Sequence, residues 1–355
     1  MRILIPVLQF GNSGGFRVLS NLANTWIASG HEVVFMSPIA NILPYFPTVA
    51  KIIWIDVNGD TCAENMIIEE ARYSMFQRWR ALYRALNKLN SSFDVVLANH
   101  SLSTYPVYFS RIKAKKFYYI QAYEPEYYQS LGGLKSKCLS LFSWFSYYLN
   151  LERIVNADLY MRYKNIRAKM VVTPGIDLEI FKPQASDFVD KRGIIGCIGR
   201  VESFKGTSYI LDAFLLAYKR NPNLKLHIAF GDKSNEKLHP AIKVFMPKSD
   251  RELSVFYNSL DILVTAGTVQ LGAAHYPVIE GLACGIPVIH TGYYPGTVSN
   301  SWIVPIRDAQ AIADKIFEIS SNQKLKDLKI AKGFSSVDKF SWPLVAQKMY
   351  SYFLN

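Results

Sequence analysis

The chain has 355 residues, more than a single ordinary hydrophobic core organises, so its length points to two domains. Half of the residues are hydrophobic and 14% are aromatic, which excludes a disordered chain and supplies apolar material for two cores. Forty Lys and Arg against 28 Asp and Glu leave a net charge of +12, a balance that favours anionic partners (nucleotides, nucleic acid, acidic headgroups or acidic glycans) without choosing among them.

The opening MRILIPVLQF has no small-residue cleavage site and reads as a first strand, not a signal peptide. Strand Arg2 to Val7 leads into a glycine-rich turn, Gly11 to Gly15, and then a helix, Phe16 to Ser29, with apolar positions at helical spacing. Gly30 ends that helix in the usual C-terminal place. Strands follow at Glu32 to Met36 and Lys51 to Val57, then a long helical segment from Glu64 to Leu89. Asp94 to Ala98 and Lys116 to Ile120 are short, mostly apolar runs, as a parallel sheet covered on both faces requires. Ala157 to Tyr160 and Met170 to Val172 read as the last strands of this half.

Pro174, Gly175 and Phe181-Lys182-Pro183 punctuate the chain before a polar stretch through Lys191, the best domain boundary. The alternation restarts with strand Ile194 to Ile198, helix Thr207 to Lys219, strand Lys225 to Phe230, helix Arg251 to Ser259 and strand Asp261 to Thr265. A helix over Val278 to Ala283, strands at Pro287 to His290 and Trp302 to Val304, and a helix over Ala309 to Ser320 complete it. Two such units joined by a Pro/Gly hinge predict a ligand site in the cleft between them. No run approaches the ~18 uncharged apolar residues of a spanning helix. A cytoplasmic protein is expected, with membrane-surface contact left open.

Cys62, Cys138, Cys197 and Cys284 show no C-x-x-C spacing and no accompanying histidine cluster, so neither a zinc site nor a disulfide framework is expected. Cys197 and Cys284 read as buried thiols. Gly11 to Gly15 either lets the backbone approach a ligand at a helix N-terminus or is a tight turn alone. Its spacing is not G-x-G-x-x-G, which argues against a nicotinamide dehydrogenase. Gly199-Arg200 and Lys205-Gly206 follow a strand end, where two cations can hold a pyrophosphate and neutralise charge on a departing diphosphate. The alternative is an exposed loop with two surface cations. Glu280, read as leading a helix, either accepts hydrogen bonds from ribose hydroxyls or satisfies the helix dipole. Leu134 to Leu149 combines aromatics with Lys135 and Lys137, and is either a core helix with an exposed start or a membrane-surface element. The cations are dispersed and no nucleic-acid-binding motif is present, so no nucleic-acid partner is expected.

Several segments in order resemble a known family. GRVESFKG resembles the G-R-x-x-x-x-K-G segment, EGLACGIPVI the E-A-x-A-C-G-x-P-V-V segment, and VVTPGIDLEIFKP the N-G-V-D-x-x-x-F-x-P linker of the retaining glycosyltransferase family 4. LSNLANTWIASGHEVVFMS, FYNSLDILVTAG and the terminal FSWPLVAQKMYSYF fit the same family, so the resemblance runs from about residue 4 to 353. YIQAYEP looks like the Y-F-V-Q-D-Y-E-P segment of a rhamnosyltransferase-like subgroup of surface-glycan enzymes, with Ala122 in place of one acid.

The resemblance implies the α/β GT-B fold: two Rossmann-like domains facing a central cleft, with a C-terminal helix crossing back. It implies an acceptor domain at 1–175, with about 338–355 packing on it, and a donor domain at 190–337. It implies a bacterial, metal-independent glycosyltransferase of surface-polysaccharide or glycoconjugate synthesis. Such an enzyme uses a nucleotide-diphosphate sugar as donor substrate, no separate cofactor, and a glycan or lipid-linked acceptor at the inner face of the membrane. Arg200 and Lys205 would grip the diphosphate, Glu280 the ribose, and Gly14 and Gly15 would border the phosphates from the other domain. His100 and Glu124 would lie near the reacting sugar, although His100 also reads as a residue that merely lines the cleft, and Glu124 before Pro125 as a turn residue. The family's earlier acid, eight residues before the ribose glutamate, is Gly272 here. That departure gives weight to the alternative of a nucleotide-sugar-binding relative without transferase activity, an epimerase or a silent scaffold.

Overall fold

The computed structural model describes residues 1–39, 43–62, 73–89, 92–184, 193–199 and 201–355. The chain forms two compact units. Unit 1 comprises Met1–Gly175 and Trp342–Asn355; unit 2 comprises Ile176–Ser341.

Unit 1 runs β1 (Arg2–Pro6), α1 (Gly14–Ala28), β2 (Glu32–Pro38), β3 (Lys51–Ile55), β4 (Thr61–Cys62), α2 (Met75–Lys88) and β5 (Val95–Ala98). It continues through α3 (Ser101–Phe109), β6 (Lys115–Ile120), α4 (Glu124–Ser130), α5 (Gly133–Ser146), β7 (Glu152–Val155), α6 (Asp158–Met161) and β8 (Met170–Val171). Its sheet has the order β4-β3-β2-β1-β5-β6-β7-β8, parallel except for β4, which pairs antiparallel with β3. Ile3, Leu4, Ile5 and all of β5 are fully buried, as strands covered on both faces must be.

Unit 2 runs β9 (Ile194–Ile198), α7 (Thr207–Arg220), β10 (Lys225–Ala229), β11 (Ile242–Phe245), α8 (Asp250–Asn258), β12 (Ile262–Thr265), α9 (Tyr276–Ala283), β13 (Val288–His290), β14 (Trp302–Ile303), α10 (Ala309–Ser321) and α11 (Gln323–Val337). The sheet order is β11-β10-β9-β12-β13-β14, and every pairing is parallel. That order reverses direction between β9 and β12, the switch point at which such sheets bind ligands beyond the carboxyl ends of their strands. In unit 1 the reversal lies between β1 and β5.

The chain returns to unit 1 as α12 (Trp342–Leu354). Trp26 Nε1 donates to the Ala346 carbonyl at 3.0 Å, and the Phe353 ring packs 5.7 Å from Trp26 and 4.7 Å from Phe117. Both units are thus Rossmann-like, and a C-terminal helix rejoins the first, as expected from the sequence.

Local expectations need four corrections. Ala157 to Tyr160 is not a strand: Asp158 starts the short helix α6, and the strand is β7, whose leading Glu152 and Arg153 disguise a pair of buried residues, Ile154 and Val155. The helix expected from Glu64 begins at Met75, because Ser74 and Gln77 form a reciprocal cap: the Ser74 N–H donates to Gln77 Oε1 at 2.8 Å, and the Gln77 N–H to Ser74 Oγ at 3.3 Å. The part of that expectation falling on 64–72 lies outside the described residues. Gly14 and Gly15 are the first residues of α1, not part of the turn before it. Glu280 lies one turn inside α9 and does not lead it.

Cys197 and Cys284 are buried, which pushes both thiols up to about 12. Among the described residues no helix is long and apolar enough to cross a membrane.

Candidate functional site

In unit 2, three loops at the carboxyl ends of β9, β12 and β13 are knit together. Gly199 closes β9 against the backbone of Gly231, where an added Cβ would come within 2.5 Å of the Gly231 Cα. Arg200 lies outside the described residues. A single 3-10 turn over Ser203–Lys205 follows, and Gly206 joins it to α7 with φ +77°. A Cβ on Gly206 would lie 1.9 Å from the Ala266 carbonyl oxygen, so only glycine permits this approach of the two loops. The Thr268 N–H then donates to the Phe204 carbonyl at 2.9 Å. Thr291 Oγ1 donates to the Gly267 carbonyl at 2.6 Å, and the Gly272 N–H to the Gly292 carbonyl at 2.8 Å.

Lys205 is therefore an exposed cation on a turn fixed from both sides, directly before the amino end of α7. That helix end has a glycine cap and no acidic residue in its first turn, so its dipole and N–H groups favour an anion. Glu280 is 1% exposed and accepts a 2.8 Å hydrogen bond from the Tyr257 hydroxyl. Gly272 has φ +92°, a backbone conformation that L side chains rarely adopt. The position where the family has an acid is thus built for glycine here.

In unit 1, Gly14, Gly15, His100 and Glu124 gather at the carboxyl ends of β1, β5 and β6. Asn99 Nδ2 donates to the Pro6 carbonyl at 2.9 Å and ties the loops after β5 and β1 together. Gln121 Nε2 donates to the Gly15 carbonyl at 3.3 Å, and a side chain at Gly15 would press on that amide. His100 caps α3: its Nδ1 accepts from the Leu102 N–H at 3.1 Å. That bond leaves the proton of a neutral ring on Nε2, which faces Glu124 Oε2 at 3.5 Å and the Tyr128 hydroxyl at 3.3 Å.

Glu124 is not a free carboxylate. It accepts from the Ser101 N–H at 3.0 Å, from the Ser101 hydroxyl, and from the Ser143 hydroxyl at 3.3 Å, so it anchors the start of α3 from a neighbouring helix. Burial and the Glu124 charge push the Tyr128 phenol well up, which keeps that hydroxyl protonated beside His100.

Three residues escaped the sequence reading. Ser101 and Ser143, far apart in the chain, complete the Glu124 cluster, and a serine carries no pattern that announces such a partner. His290, at the end of β13, accepts from the Gly292 and Tyr293 N–H groups at 3.0 and 2.9 Å, and its Nε2 lies 2.9 Å from the Ser301 hydroxyl. Burial pushes it down to about 4, so a neutral ring holds the third loop in place.

Residues 192–322 match the family model described as glycosyl transferases group 1. The chain is related to the group 1 glycosyl transferases. Over 226 residues it is 23% identical to the D-inositol 3-phosphate glycosyltransferase of Corynebacterium urealyticum, covering 54% of this chain and 53% of that one. Over 216 residues it is 26% identical to the enzyme of the same name from Corynebacterium jeikeium, covering 51% of this chain and 50% of that one. The chain thus spans about half the length of the curated relatives it matches.

Among solved structures it is similar to a sucrose-phosphate synthase from Thermosynechococcus elongatus, with TM-score 0.78, 15% identity and coverage of 100% and 98% of the two chains. It is also similar to Anabaena HepE in complex with UDP and glucose, with TM-score 0.74, 14% identity and coverage of 100% and 99%. Those similarities establish the GT-B fold over the full chain, and the group 1 match falls on the unit that carries Lys205, Gly206 and Glu280.

Proposed function

We propose that this protein is a glycosyltransferase that moves a sugar from a nucleotide-diphosphate donor to a glycan or lipid-linked acceptor in bacterial surface-polysaccharide or glycoconjugate synthesis, with retention at the anomeric carbon. The donor diphosphate sits against Arg200, Lys205 and the amino end of α7, and the ribose at Glu280. An acceptor hydroxyl oxygen bonds to the anomeric carbon as the bond from that carbon to the diphosphate oxygen breaks, the hydroxyl proton passes to the departing diphosphate, and the cations and helix end stabilise the charge that collects on that leaving group. Gly14 and Gly15 border the phosphates. Unit 1 carries the acceptor, with His100 beside the reacting sugar, its ring held by Glu124. The enzyme works in the cytoplasm, at the inner face of the membrane.

The observation that carries this reading is the loop pair at the β9/β12 switch point: Gly206 packed on Ala266, with Thr268 bonded to Phe204, inside the stretch that matches the group 1 family. HepE holds UDP, which makes uridine nucleotides the first to try. In a thermal-shift screen of UDP-, GDP-, TDP- and ADP-sugars with NAD as control, one nucleotide sugar raises the melting temperature of the wild type and fails to raise that of Arg200→Ala/Lys205→Ala. Stabilisation by NAD alone would overturn the reading.

The left-handed glycine at 272 favours a second reading, a nucleotide-sugar-binding relative without transfer. Nucleotide release measured in single turnovers with cell-envelope glycan or lipid fractions separates the two: binding without release selects the second.

A further inference from the structure

Helix α5 is amphipathic in the inverted sense. Its buried residues are Ser140, Ser143 and Ser146, each hydrogen-bonded: Ser140 to the Pro125 carbonyl at 3.0 Å, Ser143 to Glu124, and Ser146 to the Ser143 carbonyl at 2.6 Å. The opposite side carries Leu134, 79% exposed, with Leu141, Phe142 and Phe145 exposed by 49% or more. At about 100° per residue these four fall on one stripe, and Lys135 and Lys137 lie on its two shoulders. Trp144 and, just past the helix end, Tyr148 extend the stripe, and the Arg167 guanidinium lies 6.0 Å from the Tyr148 ring centroid. A helix whose serines face in and whose aromatics face out is not a core helix, and so large an exposed apolar face needs an occupant.

Charge identifies it. No Asp or Glu occurs from residue 127 to 151, nor from 95 to 123, the stretch that includes α3. In the second stretch Arg111 and Lys113 are exposed just past α3, and α3 packs beside α5, with the Tyr105 hydroxyl bonded to the Phe142 carbonyl at 2.6 Å. A second copy docking by a two-fold axis would set this basic surface against itself. A surface of phosphates meets it with opposite charge, while its acyl boundary takes the aromatics.

We propose that the outward face of α5 docks the protein on an anionic lipid surface. The stripe enters the headgroup boundary, and Lys135 and Lys137 pair with lipid phosphates. The proposal deepens the reading of an enzyme at the membrane face, but it does not depend on donor binding, and the two fail separately.

The test is flotation of the full chain with phosphatidylcholine vesicles containing about one third phosphatidylglycerol, against phosphatidylcholine alone. The wild type floats with the anionic vesicles and partitions at least ~10-fold less to the neutral ones. Phe142→Ser/Phe145→Ser and, separately, Lys135→Gln/Lys137→Gln each lower partitioning ~10-fold or more, while both keep the wild-type thermal shift with the nucleotide sugar. Brominated acyl chains quench the wild-type tryptophan emission, and Trp144→Phe removes most of that quenching. A wild type that stays unbound to anionic vesicles overturns the proposal, as does a Phe142→Ser/Phe145→Ser protein that floats like the wild type. A wild-type dimer in sedimentation velocity that this variant splits overturns it too, and assigns the face to a second copy.

Discussion

Glu124 shows how a side chain's neighbours decide what it can do. An acid just before a proline, past a strand end, offers itself to a substrate in the sequence, yet its oxygens are occupied by Ser101 and Ser143 and its remaining reach is to His100. Its work is positioning. Glu124→Gln leaves the Ser101 N–H and hydroxyl competing for one neutral acceptor, which costs about 1–3 kcal/mol of stability in urea titrations of unit 1. If His100 lies beside the reacting sugar as proposed, turnover then falls more than donor KM rises, because the ring loses its charged neighbour and keeps the Tyr128 hydroxyl. Under the proposed function Lys205→Ala is expected to behave differently, with unchanged melting temperature and kcat/KM lower by ~100-fold or more, since a cation proposed to meet the leaving group acts mainly in the transition state. Gly206→Ala puts a Cβ on the Ala266 carbonyl at a positive φ and should destabilise unit 2 by about 1–3 kcal/mol, read as a lower melting temperature with nucleotide binding lost in parallel.

At the scale of elements, the parallel strands were legible because burial on both faces demands unbroken apolar runs, as in Val95–Ala98. Strand β7 was not, since half of it is charged, and α5 was readable only as apolar, because which side faces inward depends on partners elsewhere in the chain. The loops after β9, β12 and β13 form one body through backbone bonds together with the Thr291 hydroxyl and the His290 ring, partnerships that no local sequence pattern encodes. His290 is the pin of that body, and it makes unit 2 acid-sensitive. Its folded value, pushed down from 6.5 to about 4, means that the unfolded chain binds a proton first as pH falls. Stability is therefore full above pH ~6.5 and declines by up to about 3 kcal/mol towards pH ~4. Urea titrations at stepped pH should show this slope, to which His227, pushed down likewise to about 4 by burial, adds its own share, so His290→Gln should reduce the slope without abolishing it while lowering the plateau.

At the scale of the whole molecule, the return of the chain to its first unit is the main event. Helix α12 buries Trp342, Val345, Ala346, Met349 and Phe353, and meets α1 through Trp26. A chain ending at Ser341 loses that cover, so unit 1 should melt at a lower temperature while unit 2 keeps its nucleotide response. Phe353→Ala alone should cost unit 1 about 3–5 kcal/mol.

What the amino-acid order determined by itself is the βα alternation, the glycines that let loops approach, and the likeness of the second unit to the group 1 glycosyl transferases, all of which are written in local spacing. Tertiary structure alone decided that Glu280 is buried against Tyr257, that Glu124 braces α3, and that α5 turns its serines inward. The reason is physical: periodicity and turn chemistry are set by neighbours a few residues away, whereas burial and hydrogen-bond partnership are set by residues tens of positions distant, which only the folded chain brings together.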